Sequence, residues 1–321
     1  MHGTAMHDPI GVGAAGVRPG EQTSALEQMP VGPTYKWVAF SDEGTHQGQP
    51  EHRPVTYYPD YNMLLKDPEV EMVLVDGPVE LRRDLAVRAL NAGRHVVLAL
   101  PFCETALDAE RVMKTALHTG LVATAELPWR TRPELLSLRH ALEQENVSKV
   151  VGVHGFWSPG DDEEEQTAEP GEPDDLLERH GFALLDQLNL VADRDIKDVT
   201  AHVIRAGPGR AAEGFLLYLN LRQGGWAIAQ MDRRRLQGAP AWLVRAGSSV
   251  LTTTGGQTVV TADGKRRDYG LPQRAEGFWQ DLYEAVRHGA EPRCHPVQIV
   301  RAMKLHEAAE ISAEEGRAVT L

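Results

Sequence analysis

The sequence predicts an α/β fold: a doubly wound parallel sheet, followed by an α+β half built on a large, open, mainly antiparallel sheet. Two observations carry this expectation. Through about residue 128, short apolar runs alternate with segments of helical periodicity, the rhythm of βαβ units. From Ile196 to Tyr269 the rhythm changes to strand after strand, among them GFLLYLNLR, GWAIAQMD and QTVVTADGKR. Several of these alternate apolar and polar residues, as in an antiparallel sheet with one open face.

The elements follow in order. Ile10 to Gly13 reads as a strand end leading into a glycine-rich turn, and YKWVAFSD (residues 35–42) as the second strand. Tyr61 to Leu65 is a short helix, Asp67-Pro68-Glu69 a turn, and Val70 to Val75 a buried strand that ends at Gly77-Pro78. Leu81, Leu85, Ala89 and Ala92 mark a crossover helix. After the Ala92-Gly93 stop, Val96 to Leu100 runs apolar to Pro101 and reads as a buried strand of a parallel sheet. Ligands of open α/β sheets sit outside the carboxyl ends of the strands, so Ala99, Leu100 and Pro101 are expected to wall a cleft. Thr105 can cap the next helix, which leads into the strand LVATAEL. Lys149 to Trp157 reads as a further strand; its His154 is either a cleft residue or a satisfied histidine on the sheet face. The run GDDEEEQTAEPGEPDD (160–175) is too charged and too rich in Pro and Gly to hold a core, and reads as a mobile solvated loop.

Composition narrows the function. The 321 residues, 42% hydrophobic and 25% charged, suffice for two ordinary domains. A net charge of -13 argues against nucleic acid or an anionic membrane as partner and leaves a small-molecule ligand. Cys103 and Cys294, the only cysteines, have no metal-type spacing and read as free thiols of a reducing compartment. With neither a secretory signal nor an apolar run of spanning length, a cytoplasmic protein is expected. Ser/His/Asp, HExxH, Walker and zinc-type patterns are absent.

Four stretches together resemble one family. They are AGRHVVLALP (92–101), YNMLLKDPEVEMVLVDGP (61–78), GFALLDQLNLVAD (181–193) and ISAEEGR (311–317). They are similar to the Gfo/Idh/MocA oxidoreductases, named for glucose-fructose oxidoreductase and inositol dehydrogenase. The resemblance implies a Rossmann-like (di)nucleotide-binding domain over residues 1–128 and a substrate and dimerisation domain over 129–321. It also implies a nicotinamide cofactor whose nicotinamide side is lined by the strand end at Gly77-Pro78, with Ala99 and Pro101 among the cofactor-binding residues.

Gly11 to Gly16 spells G-x-G-x-x-G, but that fingerprint should follow a strand, and Met6-His7-Asp8-Pro9 is a poor one. Aligned to the family, Ala14 and Gly16 stand at its Gly-x-Gly, with Pro19-Gly20 near the third glycine. A glycine-rich turn without a ligand is the equal alternative. Asp42 stands for the carboxylate that takes the adenine ribose, favouring NAD over NADP because it would repel a 2′-phosphate; the alternative is that it only begins a polar loop.

The chemistry is where the chain departs. Leu100 replaces the catalytic lysine of Glu-Lys-Pro, Leu190 replaces the helix histidine one turn after Asp186, and Arg82 stands where the family usually has a histidine. Removing a hydroxyl proton requires a base, and leucine supplies none. Asp186 remains as a candidate base, a sugar hydrogen-bond acceptor or an ordinary helix carboxylate. Arg130, Arg132, His154 and Asp186 are the candidate substrate contacts, with a structural ion pair as the alternative for the arginines. The resemblance further implies a homodimer, or dimer of dimers, through the open sheet. The function expected is a nicotinamide-binding oxidoreductase-like protein that acts on or binds a sugar, cyclitol or related hydroxylated molecule, with degenerate catalysis. The alternative is an inactive relative serving as ligand sensor or protein-binding regulator.

Overall fold

The computed structural model describes residues 8–16, 29–41, 55–147, 150–158, 176–192, 196–205, 207, 212–233, 239–272 and 277–321. Asp42, Pro19-Gly20, Asp193 and the acidic run 160–175 lie outside the described residues. The chain divides into two compact units, Met1–Glu126 with Glu276–Val300, and Leu127–Ala275 with Arg301–Leu321.

The first unit is a six-stranded parallel sheet in the order β3-β2-β1-β4-β5-β6, the dinucleotide-fold order. Its strands are β1 (Ile10–Ala15), β2 (Tyr35–Ser41), β3 (Thr56–Tyr57), β4 (Met72–Val75), β5 (His95–Leu98) and β6 (Ala123–Ala125). Helices α1 (Tyr61–Lys66), α2 (Val79–Asn91) and α3 (Ala106–Thr119) alternate with them. The Thr105 hydroxyl accepts the Asp108 N–H at 3.1 Å and caps α3, as its position in the sequence predicts. Strands β4, β5 and β6 are apolar almost throughout because both faces of a parallel sheet are covered.

A sequence-continuous division at residues 128 and 129 does not follow these contacts, because a late helix folds into the first unit. In α6 (Phe278–His288), Trp279, Leu282 and Tyr283 are buried against Ile10, Tyr35, Met72, Leu74 and Val97. The Tyr35 hydroxyl donates to the Trp279 carbonyl at 2.6 Å, and the two rings meet edge to face at 5.5 Å. Arg287 closes the same seam with a fork on Glu71, at 2.5 and 2.9 Å. These hydrogen bonds hold the Glu71 carboxyl below the usual carboxylate range.

The second unit is a nine-stranded sheet, β14-β13-β12-β11-β7-β10-β9-β8-β15. Its strands are β7 (Val150–Trp157), β8 (Ile196–Arg205), β9 (Ala212–Leu221), β10 (Trp226–Asp232), β11 (Trp242–Ala246), β12 (Ser249–Thr254), β13 (Gln257–Ala262), β14 (Lys265–Tyr269) and β15 (Val319–Thr320). Every pairing is antiparallel except β7 with β10. Helices α4 (Pro133–Gln144), α5 (Leu176–Ala192) and the second half of α7 (Pro296–Glu315) bury Leu138, Leu185, Leu188 and Leu305 against Phe215, Leu217, Ala229 and Trp242. The alternation read in WAIAQMD, and present also in WLVRA, is this face and its opposite. On the opposite face Tyr218, Leu243, Val250 and Ile204 are exposed. The ISAEEGR segment closes the unit through buried Ser312, whose hydroxyl accepts the Ala201 N–H at 2.9 Å and donates to the Arg317 carbonyl at 2.6 Å.

Replacing Trp279 by Ala should cost about 3–5 kcal/mol, the usual range for emptying a large aromatic site. Hydrogen exchange is the discriminating measurement: amides of β1 and β2 should lose protection while those of β9 and β10 keep theirs.

Candidate functional site

The carboxyl edge of the six-stranded sheet gathers most of the expected cofactor positions. β1 runs through Ala15, so Gly11 and Gly13 are strand residues and not the fingerprint turn. A side chain on Gly11 would reach within 1.8 Å of the Glu69 carbonyl oxygen, which explains that glycine by packing. The turn falls at Gly16, with φ +80°, and an added Cβ there would lie 2.7 Å from the Gly77 Cα. Gly16 and Gly77 therefore touch backbone to backbone at the ends of β1 and β4, a close approach only glycine allows. Ala14 is 2% exposed, and it is buried together with Phe40. Pro78 is exposed and begins α2.

Arg82 ties the edge together. Its Nε donates to the Gly77 carbonyl at 2.8 Å, one terminal nitrogen donates to the Ala99 carbonyl at 3.0 Å and also to the Pro101 carbonyl. Its other terminal nitrogen faces Asp76 at 3.8 Å. Burial lowers the guanidinium pKa and Asp76 opposes that shift. One buried cation thus spans the loops after β4 and β5, joining Gly77, Ala99 and Pro101, and it explains why arginine occupies a position that the resemblance assigns to histidine. Cys103, on the same loop, is buried; burial pushes its thiol up to about 12 and makes it a poor nucleophile.

Two oxygens at this edge have no hydrogen-bond partner among the described residues: Ser41 Oγ at the end of β2 and Asp76 Oδ2 after β4. A buried unsatisfied polar atom costs about 1–3 kcal/mol, so such atoms mark places where a ligand completes the bonding. The glycine contact and these acceptors fit the hydroxyls and amide of a dinucleotide laid across the switch point between β1 and its neighbours. A third strand-end group, the Glu126 carboxylate after β6, also lacks a partner among the described residues, and burial raises its pKa. Ser41, Asp76 and Glu126 are not singled out by the sequence, although Ser41 ends β2 and Asp76 and Glu126 directly follow β4 and β6.

In the second unit, the geometry corrects two expectations. Asp186 on α5 is fully buried. Its Oδ2 accepts from Trp129 Nε1 at 2.7 Å and Arg130 Nε at 2.9 Å, and its Oδ1 from the second Arg130 nitrogen at 2.6 Å. A carboxylate held by three donors and shielded from solvent is not a base for a substrate, and Arg130, 8% exposed and forked on it, is not a substrate contact. Both anchor the 3₁₀ turn Pro128–Thr131 to α5. Leu190, one turn on, packs against the apolar core of the unit. Arg132 is exposed at the start of α4. His154 stacks on Phe156 at 3.7 Å and shares a hydrogen bond with Gln230 at 3.2 Å; burial lowers its pKa, favouring the neutral ring, and the Gln230 hydrogen bond opposes that shift.

Asp186→Asn should destabilise the protein by about 3–5 kcal/mol, because it strands the Arg130 charge in the interior. Urea unfolding checks this; a solvent-facing catalytic carboxylate would give a variant as stable as its parent.

Residues 10–127 match the family described as an oxidoreductase family with an NAD-binding Rossmann fold, Gfo/Idh/MocA. Two curated relatives are a dehydrogenase, aclE, of Aspergillus oryzae, 28% identical over 97 residues, and an inositol 2-dehydrogenase of Salmonella paratyphi B, 29% identical over 100 residues. Each alignment covers 30% of this chain and only 26% or 30% of the relative, so the match spans less than a third of either. A solved NAD-binding protein of Listeria innocua superposes over 97% of this chain and 96% of its own, with a TM-score of 0.71 and 21% identity, which shows a common fold. Residues 10–127 thus carry the match to the Gfo/Idh/MocA oxidoreductase family, and over its whole length the chain shares the fold of the solved NAD-binding protein.

Proposed function

We propose that the protein binds a nicotinamide dinucleotide, NAD in preference to NADP, and binds or acts on a sugar, cyclitol or related hydroxylated molecule with catalytic machinery that departs from the family's. The observation carrying this reading is the carboxyl edge of the parallel sheet, where the Gly16–Gly77 contact lies beside the unpartnered oxygens of Ser41 and Asp76. The likeness to an inositol 2-dehydrogenase supports the polyol class. A bound nicotinamide supplies hydride acceptance or donation. The protein's part is to seat it: Gly16 would admit the pyrophosphate close to the backbone, Asp42, next to Ser41 in the sequence, would supply the carboxylate for the ribose, and Arg82 holds the Gly77 and Ala99–Pro101 loops in place. Cys103 and Cys294 are buried and form no disulfide, which accords with a reducing cytoplasm. Among the described residues no helix is long and apolar enough to cross a membrane.

A second reading, an inactive relative working as ligand sensor or regulator, draws on the second unit. There Asp186 is locked in an ion pair and Leu190 belongs to the core, so the family's helix carboxylate and histidine provide no proton acceptor.

Titration with NADH and NADPH, followed by nucleotide fluorescence and thermal stabilisation, tests the first reading. A ligand that prefers the folded state raises the melting temperature once its concentration passes Kd. NADH should bind more tightly than NADPH, and Asp42→Ala should weaken NADH and narrow that preference. No binding of either nucleotide at about millimolar concentration, far above a functional Kd, rejects it.

The open sheet face is proposed to pair with a second copy, supported by exposed Tyr218, Leu243, Val250 and Ile204. Tyr218→Arg with Leu243→Glu should shift the mass measured by light scattering from dimer or tetramer to monomer; a parent that is already monomeric refutes the assignment.

A further inference from the structure

Glu126 is a carboxylate that neither the locked Asp186 cluster nor the Arg82 clamp employs. It directly follows β6, whose three residues are buried. Leu98 pairs with Ala125, so the next positions, Ala99 and Glu126, leave the sheet side by side. Glu126 therefore stands one strand away from the loop Ala99-Leu100-Pro101, where the family carries its lysine and this chain carries leucine.

Its surroundings set it apart from nearby carboxylates. Asp76 faces Arg82 at 3.8 Å and Asp108 faces Arg83 at 3.2 Å. Glu126 is half-buried, between fully buried Ala125 and Leu127, and has no hydrogen-bond or ion-pair partner among the described residues. Desolvation without a compensating cation favours the protonated form, which moves a carboxyl group toward the range useful for proton exchange near neutrality. A half-buried, unpaired carboxylate costs stability, and groups of that kind concentrate at working sites.

We propose that Glu126 is the proton-exchanging residue of this site, accepting the proton of a bound polyol hydroxyl and returning it to a carbonyl oxygen in the reverse direction. The step is a proton transfer alone. The ligand O–H bond breaks, an O–H bond forms on a Glu126 carboxylate oxygen, and the electron pair stays on the ligand oxygen. Glu126 thereby takes the role left open by Leu100 and Leu190. The inference rests on the nicotinamide-binding reading above.

The test uses the full-length protein and its Glu126→Gln and Glu126→Asp variants. Carboxyl ¹³C NMR of the free protein, with the Glu126 resonance assigned by its loss in Glu126→Gln, should give a titration midpoint above the ordinary value of 4.5. In parallel, NAD⁺ reduction is measured across a panel of cyclitols, hexoses and sugar acids. Glu126→Gln should retain wild-type NADH affinity and melting temperature while losing about 100-fold or more in kcat, the usual scale of general acid–base catalysis. Glu126→Asp should recover part of that loss. A midpoint at or below 4.5, wild-type turnover in Glu126→Gln, or a wild-type protein that binds NADH and turns over nothing in the panel would each overturn the assignment. Absence of NADH binding by the wild type shows in the binding assay itself and overturns the underlying reading, and this one with it.

Discussion

The close seating of β1 between β2 and β4 is the constraint on which the candidate site depends. Gly11 lets the strand pass against the Glu69 carbonyl, and Gly16 lets its end rest on Gly77. A methyl group at either contact would force the backbones apart, since the nearest atoms are main chain and cannot rotate away. The position of β1 fixes the register with β2 and β4, and with it the places where Ser41 and Asp76 leave the sheet. Glycines that spell a cofactor fingerprint in the sequence thus serve first to bring strands together.

Charge in this protein works mainly as structure. Arg82 gathers the carbonyls of Gly77, Ala99 and Pro101, and a planar donor fork suits such a task better than an imidazole with two nitrogens. Arg130 with Trp129 holds Asp186 in the same way, and Arg287 with Glu71 fastens α6 to the parallel sheet. In each case the opposite charge or carbonyl that offsets desolvation comes from a different element, so the pair fixes geometry as well as charge. What remains for chemistry is the small set of strand-end groups that no partner claims.

Much of the fold was legible in the residues. The switch from βαβ rhythm to alternating strands follows from burial on two faces versus one, which writes itself into apolar patterning. The Thr105 cap and the Gly93 stop are local chemistry and were readable for the same reason. The assignment of α6 to the first unit was not, because Trp279 and Tyr283 show only an amphipathic helix and do not say which sheet will cover it. Gly16, Gly77, Ala99 and Pro101 stand together at the carboxyl edge of the parallel sheet, whereas Arg130 and Asp186, read from the sequence as candidate ligand contacts, are each other's partners.

By itself the sequence determined the element types, the parallel-then-antiparallel order, and the loss of lysine and histidine at Leu100 and Leu190, since these depend on side-chain identity and local periodicity. Only the tertiary structure decided which polar groups are already satisfied. Arg130 and Asp186 are 56 residues apart in the chain, and Arg82 and Ala99 are 17 apart. Hydrogen bonds and ion pairs act over a few ångströms of space, a distance that sequence separation does not encode. The same accounting that retires Asp186 brings Glu126 forward.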